Sequence, residues 1–130
     1  MDKALNLFIV DDSLSMRNAI EKHILKEFGS RIEIHQFDTI EKVLDSHQLS
    51  PDVMLLDHIL QKPNGIDSIP AILDVFKGLE IAVISGQNNI EVFAQAYSNG
   101  ASEYIRKDAL FFYQITDFIN SYLHKYELEF

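Results

Sequence analysis

Three aspartates, one serine and one lysine each stand just past a short apolar run. Asp11-Asp12 follow Leu7–Val10, Asp57 follows Val53–Leu56, Ser85 follows Ile81–Ile84, and Lys107 lies just beyond Glu103–Ile105. Carboxylates gathered at one place repel, and without help at least one of them has to stay protonated. A hard divalent cation with oxygen ligands removes the conflict. Mg²⁺ is the natural choice, because it takes one or two carboxylates, keeps several waters and bridges to phosphate. With the charge screened, one carboxylate can attack phosphorus, the step that aspartyl-phosphate chemistry requires. The Ser85 hydroxyl and the Lys107 ammonium would then neutralise the other phosphoryl oxygens. Phosphoryl transfer needs little beyond such positioning and charge balance. Singly, each group has a plainer use: an Asp-Asp or Ser after a strand serves turns and caps, and a lysine before a helix is solvated. The conjunction at four strand ends is what argues for chemistry.

These groups meet only if the runs are parallel strands with their carboxyl ends on one edge, where open α/β sheets place their ligands. Leu7–Val10, Val53–Leu56 and Ile81–Ile84 are continuously apolar, as central strands buried on both faces should be, and Glu103–Ile105 is a weaker run. Ile32–Phe37 tends to alternate instead, which predicts an edge strand. Helical stripes fill the intervals: Met16, Ile20, Ile24 and Phe28; Ile40, Val43 and Leu44; Ile66, Ile69 and Leu73. Glu91–Ser98 predicts a short fourth helix, and a fifth follows Lys107. Asp38 is placed to cap the second helix with Glu41 in its first turn, and Ser50-Pro51-Asp52 breaks the chain before the third strand. Pro70 is expected early in its helix, where a missing N–H costs least. The pattern is (βα)5 with a parallel sheet.

The chain has 130 residues, 47% of them hydrophobic, which suits one domain over residues 1–130 with no separate effector domain. Its net charge of −9, from 11 basic and 20 acidic residues, disfavours nucleic acid and basic membrane anchoring. There is no cysteine, hence no disulfide framework, and the run before Asp11 is too short for a signal core or a membrane span. A cytoplasmic location is the expectation.

The segments Phe8–Ser13, Pro51–Asp57, the eight-residue step from Asp57 to Gly65, Ile84–Gly86 and Gly100–Lys107 resemble the response-regulator receiver domains of two-component signalling, chemotaxis receivers among them. The resemblance covers roughly Leu5 to Tyr126. It implies a flavodoxin-like doubly wound sheet of strand order 2-1-3-4-5. It implies Asp57 as phosphoacceptor, with Asp12 and Asp57 as direct Mg²⁺ ligands, Asp11 acting through water and the Ile59 carbonyl completing the site. Ser85 becomes the switch hydroxyl, Lys107 the phosphate-binding ammonium, and Tyr104 the aromatic whose rotamer reports the state. A sensor histidine kinase or phosphotransfer protein would donate the phosphoryl group. A downstream protein would then bind, with a homodimer through helix 4, strand 5 and helix 5 as one form of output. Such a domain is a switch that assists its own phosphorylation and dephosphorylation, not an enzyme acting on other substrates.

Four positions depart from the family pattern. Gln61 stands in place of the usual proline, with Pro63 and Gly65 still able to shape the loop, and Ser85 replaces the commoner threonine. Gly86 replaces a small alanine, opening the phosphoryl site to water, while apolar Ile59 should exclude it. Asp108 replaces a proline whose peptide is often cis; since a non-proline cis bond costs about 2.5–4 kcal/mol, a trans Lys107-Asp108 peptide is expected. The five histidines, at 23, 35, 47, 58 and 124, lack paired i, i+4 ligand spacing, and alternation should turn His58 away from the pocket. Phe111-Phe112-Tyr113 is expected in the core. Around the last helix, counting 100° per residue from Ile115, the residues Phe111, Phe112, Phe118, Ile119, Tyr122, Leu123 and Tyr126 fall within a total arc of about 140°, wide enough to leave accessible margins beside the fourth helix and fifth strand.

Three rival functions make different demands. A haloacid-dehalogenase-type phosphohydrolase needs an Asp-x-Asp motif after its first strand and usually a cap domain, and the chain offers adjacent aspartates and no length for a cap. A flavodoxin-like flavin carrier needs a Ser/Thr/Gly-rich phosphate loop where Asp11-Asp12-Ser13-Leu14 stands. A receiver-like interaction module working without phosphorylation would have no use for the complete set of acidic, hydroxyl and ammonium groups.

Overall fold

Each apolar run forms a strand in the computed structural model, which describes residues 4–59, 64–86 and 89–127. β1 (Leu5–Val10), β2 (Ile32–Phe37), β3 (Val53–Asp57), β4 (Glu80–Ser85) and β5 (Glu103–Arg106) make one parallel sheet in the order β2-β1-β3-β4-β5. The alternating run is the edge strand β2, paired only with β1. The strands are joined by α1 (Leu14–Phe28), α2 (Ile40–Asp45), α3 (Gly65–Val75) and α4 (Ile90–Asn99), and α5 (Phe111–Glu127) closes the fold. Among the described residues no helix is long and apolar enough to cross a membrane.

Strand alternation divides the core in two. Leu5, Leu7, Ile9, Val53, Leu55, Ala82, Ile84 and Ile105 face α1 and α5, burying Ile20, Ile24, Ile115 and Ile119. Phe8, Val10, Met54, Leu56, Ile81 and Val83 face the opposite way, onto Ile40, Val43, Ile66, Ile69, Ile72 and Ala96 of α2, α3 and α4. The strand order reverses direction beside β1, so a crevice opens at the carboxyl edge between β1 and β3.

Short polar residues start the helices where the edge needs them. The side chains of Ser13, Thr39, Asn64 and Asn89 accept first-turn N–H groups of α1, α2, α3 and α4. Thr39, not Asp38, thus caps α2: a β-region Thr39 lets its own hydroxyl reach the Lys42 N–H, while Asp38 pairs with the Lys42 ammonium at 2.9 Å. Pro70 is also placed differently from expectation. α3 begins at Gly65, so Pro70 is its sixth residue and lies past the tolerant first turn. Its missing N–H leaves the Ile66 carbonyl without a helical donor. Asn99 Nδ2, at the end of α4, donates to that carbonyl at 2.9 Å. At the other end of the same contact Gln95 Nε2 donates to Asp67 Oδ1 at 3.2 Å, so α3 and α4 are joined by polar bonds as well as by their apolar faces.

Candidate functional site

The faces that divide the core also sort the groups at the carboxyl edge. Asp11 and Asp57 continue the α1/α5 face past Ile9 and Leu55, and Lys107 does so past Ile105. They meet there. Lys107 Nζ lies 3.1 Å from Asp57 Oδ1 and 3.7 Å from Asp11 Oδ2. Asp11 and Asp57 are buried, at 3% and 6% exposure, whereas Asp12 is exposed at the rim. Carboxylate oxygens of all three aspartates fall within 4.8 Å of one another.

Local bonds hold these carboxylates in place. The Asp11 N–H donates to the Phe37 carbonyl at 3.0 Å, and its Oδ1 accepts the Ser13 N–H at 2.8 Å as α1 begins. Arg17 donates to the Asp11 carbonyl at 2.7 Å and to Gln36 Oε1 at 3.0 Å. Gly65 seats the start of α3 directly on Asp57: a Cβ there would collide with the Asp57 carbonyl oxygen and press on Leu56 Cγ. Lys107 is fixed by its own N–H, which donates to the Ser85 carbonyl at 2.8 Å. Asp108 turns the chain into α5, its Oδ1 accepting the Leu110 N–H at 2.9 Å and its carbonyl accepting the Phe111 N–H at 3.1 Å. An aspartate can thus make the turn at this position with side-chain bonds that a proline lacks.

Burial, then the neighbouring Asp11 charge, pushes the Asp57 carboxyl up to about 6; the Lys107 ammonium opposes both, and Asp12 adds a smaller upward push. One ammonium therefore leaves the cluster short of positive charge. Three oxygen donors this close, two of them buried, fit a small hard cation.

Ser85 and His58 continue the other face, past Val83 and Leu56. Ser85 is 1% exposed, and its hydroxyl lies 3.3 Å from His58 Nδ1. The expectation that His58 points away from the site needs correcting. Alternation does turn it from Asp57, but the face it turns to is the one Ser85 occupies, and the His58 N–H donates to the Ile84 carbonyl at 2.8 Å, locking the two side by side. Pairing His58 with Ser85 across β3 and β4 at the sequence level would have revealed this. Burial, with a contribution from Lys107, holds the imidazole pKa below its usual value.

Tyr104 is half-buried on the same face, its ring edge-on to Phe93 of α4 at 5.4 Å; Phe93 in turn lies 4.8 Å from Tyr97. Ile90, Phe93 and Tyr97 leave an apolar strip exposed along α4. The last helix departs from expectation. Phe111 is buried, but Phe112 is 39% and Tyr113 70% exposed. Phe112 rests against His23 of α1 at 5.0 Å, so that margin of α5 faces α1 and not α4. Its stripe through Ile115, Phe118 and Ile119 is consumed by the α1/α5 core. Ile59, the carbonyl ligand implied by resemblance, follows β3 with its side chain 55% exposed, so it shields little by itself. Gly86 adjoins open space, where a Cβ would meet nothing within 4 Å. Gln61 and Pro63 lie outside the described residues. Arg17, which clamps Asp11 from below, carried no signal in the sequence beyond being a polar residue of α1.

Comparison with known proteins agrees with this arrangement. The chain is similar to the chemotaxis protein CheY of Thermotoga maritima, 29% identical over 101 residues that cover 78% of this chain and 83% of that protein. It is 30% identical over 105 residues to a protein-glutamate methylesterase/protein-glutamine glutaminase of Bradyrhizobium diazoefficiens; the match covers 79% of this chain but only 26% of that longer protein. Its fold is like that of a CheY-like response regulator receiver domain protein from Methanospirillum hungatei, with a TM-score of 0.82 at 20% identity over 98% of this chain and 100% of the other. Residues 7–111 match the family described as the response regulator receiver domain. With its sheet order, its acidic edge and this match in accord, the chain belongs to the response regulator receiver domain family.

Proposed function

We propose that the chain is a phosphoacceptor switch in which Asp57 takes a phosphoryl group from the phosphohistidine of a sensor kinase or phosphotransfer protein. The observation that carries this reading is the placement of Asp57: a buried carboxylate at the carboxyl edge, 3.1 Å from an ammonium and beside two further carboxylates. An Asp57 oxygen forms the new bond to phosphorus while the donor's bond to phosphorus breaks, and the leaving group departs with that electron pair. Asp11, Asp12 and Asp57, with the Ile59 carbonyl, would hold Mg²⁺, which would supply the positive charge that the acidic cluster and an incoming phosphoryl group need. Lys107 balances the charge of the phosphoryl oxygens, and Ser85 supplies a hydroxyl hydrogen bond. The output face is α4 with β5 and the adjoining side of α5, where Phe93, Tyr97 and Tyr104 already form an aromatic cluster. A downstream protein or a second copy of the chain binds there after the switch, in the cytoplasm.

Calorimetric titration with beryllofluoride, a phosphoryl mimic, tests the reading. The chain is expected to bind it only with Mg²⁺ present, and Asp57→Asn is expected to abolish binding. Equal binding by wild type and Asp57→Asn would overturn the assignment of Asp57.

A further inference from the structure

The switch hydroxyl is already engaged before any phosphoryl group arrives. Ser85 Oγ and His58 Nδ1 lie 3.3 Å apart on the α2–α4 face, while Asp57 and Lys107 meet on the α1/α5 face. In the tautomer of His58 that carries its proton on Nε2, Nδ1 accepts the single hydroxyl proton of Ser85, whereas the oxygens of a phosphoryl group ionised at neutral pH accept but cannot donate, so the two compete for that proton. For Ser85 to bond a phosphoryl group on Asp57, its hydroxyl has to turn over the carboxyl edge of the sheet towards the opposite face. His58 starts from the other face: its backbone N–H is tied to the Ile84 carbonyl at 2.8 Å, and its side chain leaves β3 on the face of Leu56, away from Asp57.

We infer that His58 is a positioning residue that restrains the Ser85 hydroxyl in the resting state, so that phosphorylation exchanges the His58–Ser85 hydrogen bond for a phosphoryl–Ser85 bond. The restraint sets how far the conformational equilibrium lies towards rest before phosphorylation. It rests on the reading of Asp57 as phosphoacceptor, and adds to it a second residue that opposes the switch. Tyr104 belongs to the same face as Ser85, so release of the hydroxyl is felt where the aromatic cluster meets α4.

The test uses four variants of the full chain, His58→Leu, His58→Asn, Ser85→Ala and the double variant Ser85→Ala with His58→Leu, with Mg²⁺ and beryllofluoride. His58→Leu removes the ring nitrogen, whereas His58→Asn places an amide oxygen close to the position of Nδ1. Loss of one neutral hydrogen bond predicts roughly three- to tenfold tighter beryllofluoride binding by His58→Leu, with His58→Asn returning to within about twofold of wild type. In a Ser85→Ala background, His58→Leu should change the affinity by less than about twofold, because the bond it breaks is already gone. Without beryllofluoride, the Tyr104 amide resonance of His58→Leu should shift part of the way towards its activated position. Weaker binding by His58→Leu, or unchanged binding with an unmoved Tyr104 resonance, would overturn the inference while leaving Asp57 as acceptor. Absence of Mg²⁺-dependent beryllofluoride binding in wild type would overturn both. Thermal unfolding of each variant checks that the fold is intact.

Discussion

Lys107 and Asp57 form a 3.1 Å ion pair that joins the end of β5 to the end of β3 across the carboxyl edge, with β4 between them. The pair explains how a buried aspartate survives beside Asp11, since the ammonium lies 3.7 Å from that second carboxylate too. It does not fully compensate, because Asp57 still titrates near 6. The uncompensated negative charge is what a divalent cation would neutralise, removing the repulsion that an anionic phosphoryl group would otherwise meet.

That shortfall predicts a pH-dependent stability. A carboxyl whose pKa is raised from 3.8 to about 6 by folding stabilises the folded state below pH 4, and this contribution is lost as pH rises through 6. In metal-free buffer, Asp57→Asn should therefore be more stable than wild type at pH 7 by on the order of 3 kcal/mol, with the gap shrinking towards pH 4. Urea unfolding at the two pH values measures it. A gap that widens on acidification would mean that the carboxyl is not under strain.

Asp12→Ala is expected to weaken Mg²⁺ binding and phosphorylation together. Without metal it should also raise stability slightly, by a few tenths of a kcal/mol, because Asp12 is exposed and its push on Asp57 is the smallest of the charges around it. A lower melting temperature in chelator would count against crowding.

Two glycines flanking the site should respond oppositely to alanine. Gly65→Ala drives a methyl group into the Asp57 carbonyl, so a loss of several kcal/mol or failure to fold is expected. Gly86→Ala meets open space and should fold normally. By narrowing access for water it should lengthen the lifetime of the phosphorylated form, measurable as the decay of phosphoprotein after the donor is removed. An unchanged or faster decay would show that Gly86 does not control water.

The contact between α3 and α4 depends on Asn99. Asn99→Ala leaves the Ile66 carbonyl with neither a helical donor, which Pro70 lacks, nor the amide; a cost of about 1–3 kcal/mol is expected. Combining it with Pro70→Ala should recover part of that loss by restoring the helical N–H. Chemical denaturation of the single and double variants checks the coupling, which strict additivity would refute.

Much of this was legible in the residues. Continuous apolar runs marked β1, β3 and β4, alternation marked β2 as an edge, and the groups after them converge because a parallel sheet brings all carboxyl ends together. What escaped depended on partners distant in sequence. Pro70 is tolerated because Asn99 reaches it, and nothing near Pro70 announces that. His58 alternates away from Asp57 as expected, yet Ser85 obeys the same alternation, so the two meet. The wide stripe of α5 left open which neighbours its margins would have, and Phe112 is claimed by His23 on α1.

Covalent transfer of a phosphoryl group to Asp57 is tested directly by one measurement. Wild type and Asp57→Asn are incubated with Mg²⁺ and a small acyl phosphate, and intact mass is recorded before and after hydroxylamine. Wild type should gain one phosphoryl group that requires Mg²⁺ and that hydroxylamine removes, as expected of an acyl phosphate, and Asp57→Asn should gain none. A wild-type chain that takes up no phosphoryl group, or an Asp57→Asn chain labelled as fully and as labile to hydroxylamine, would contradict the claim that Asp57 is the phosphoacceptor.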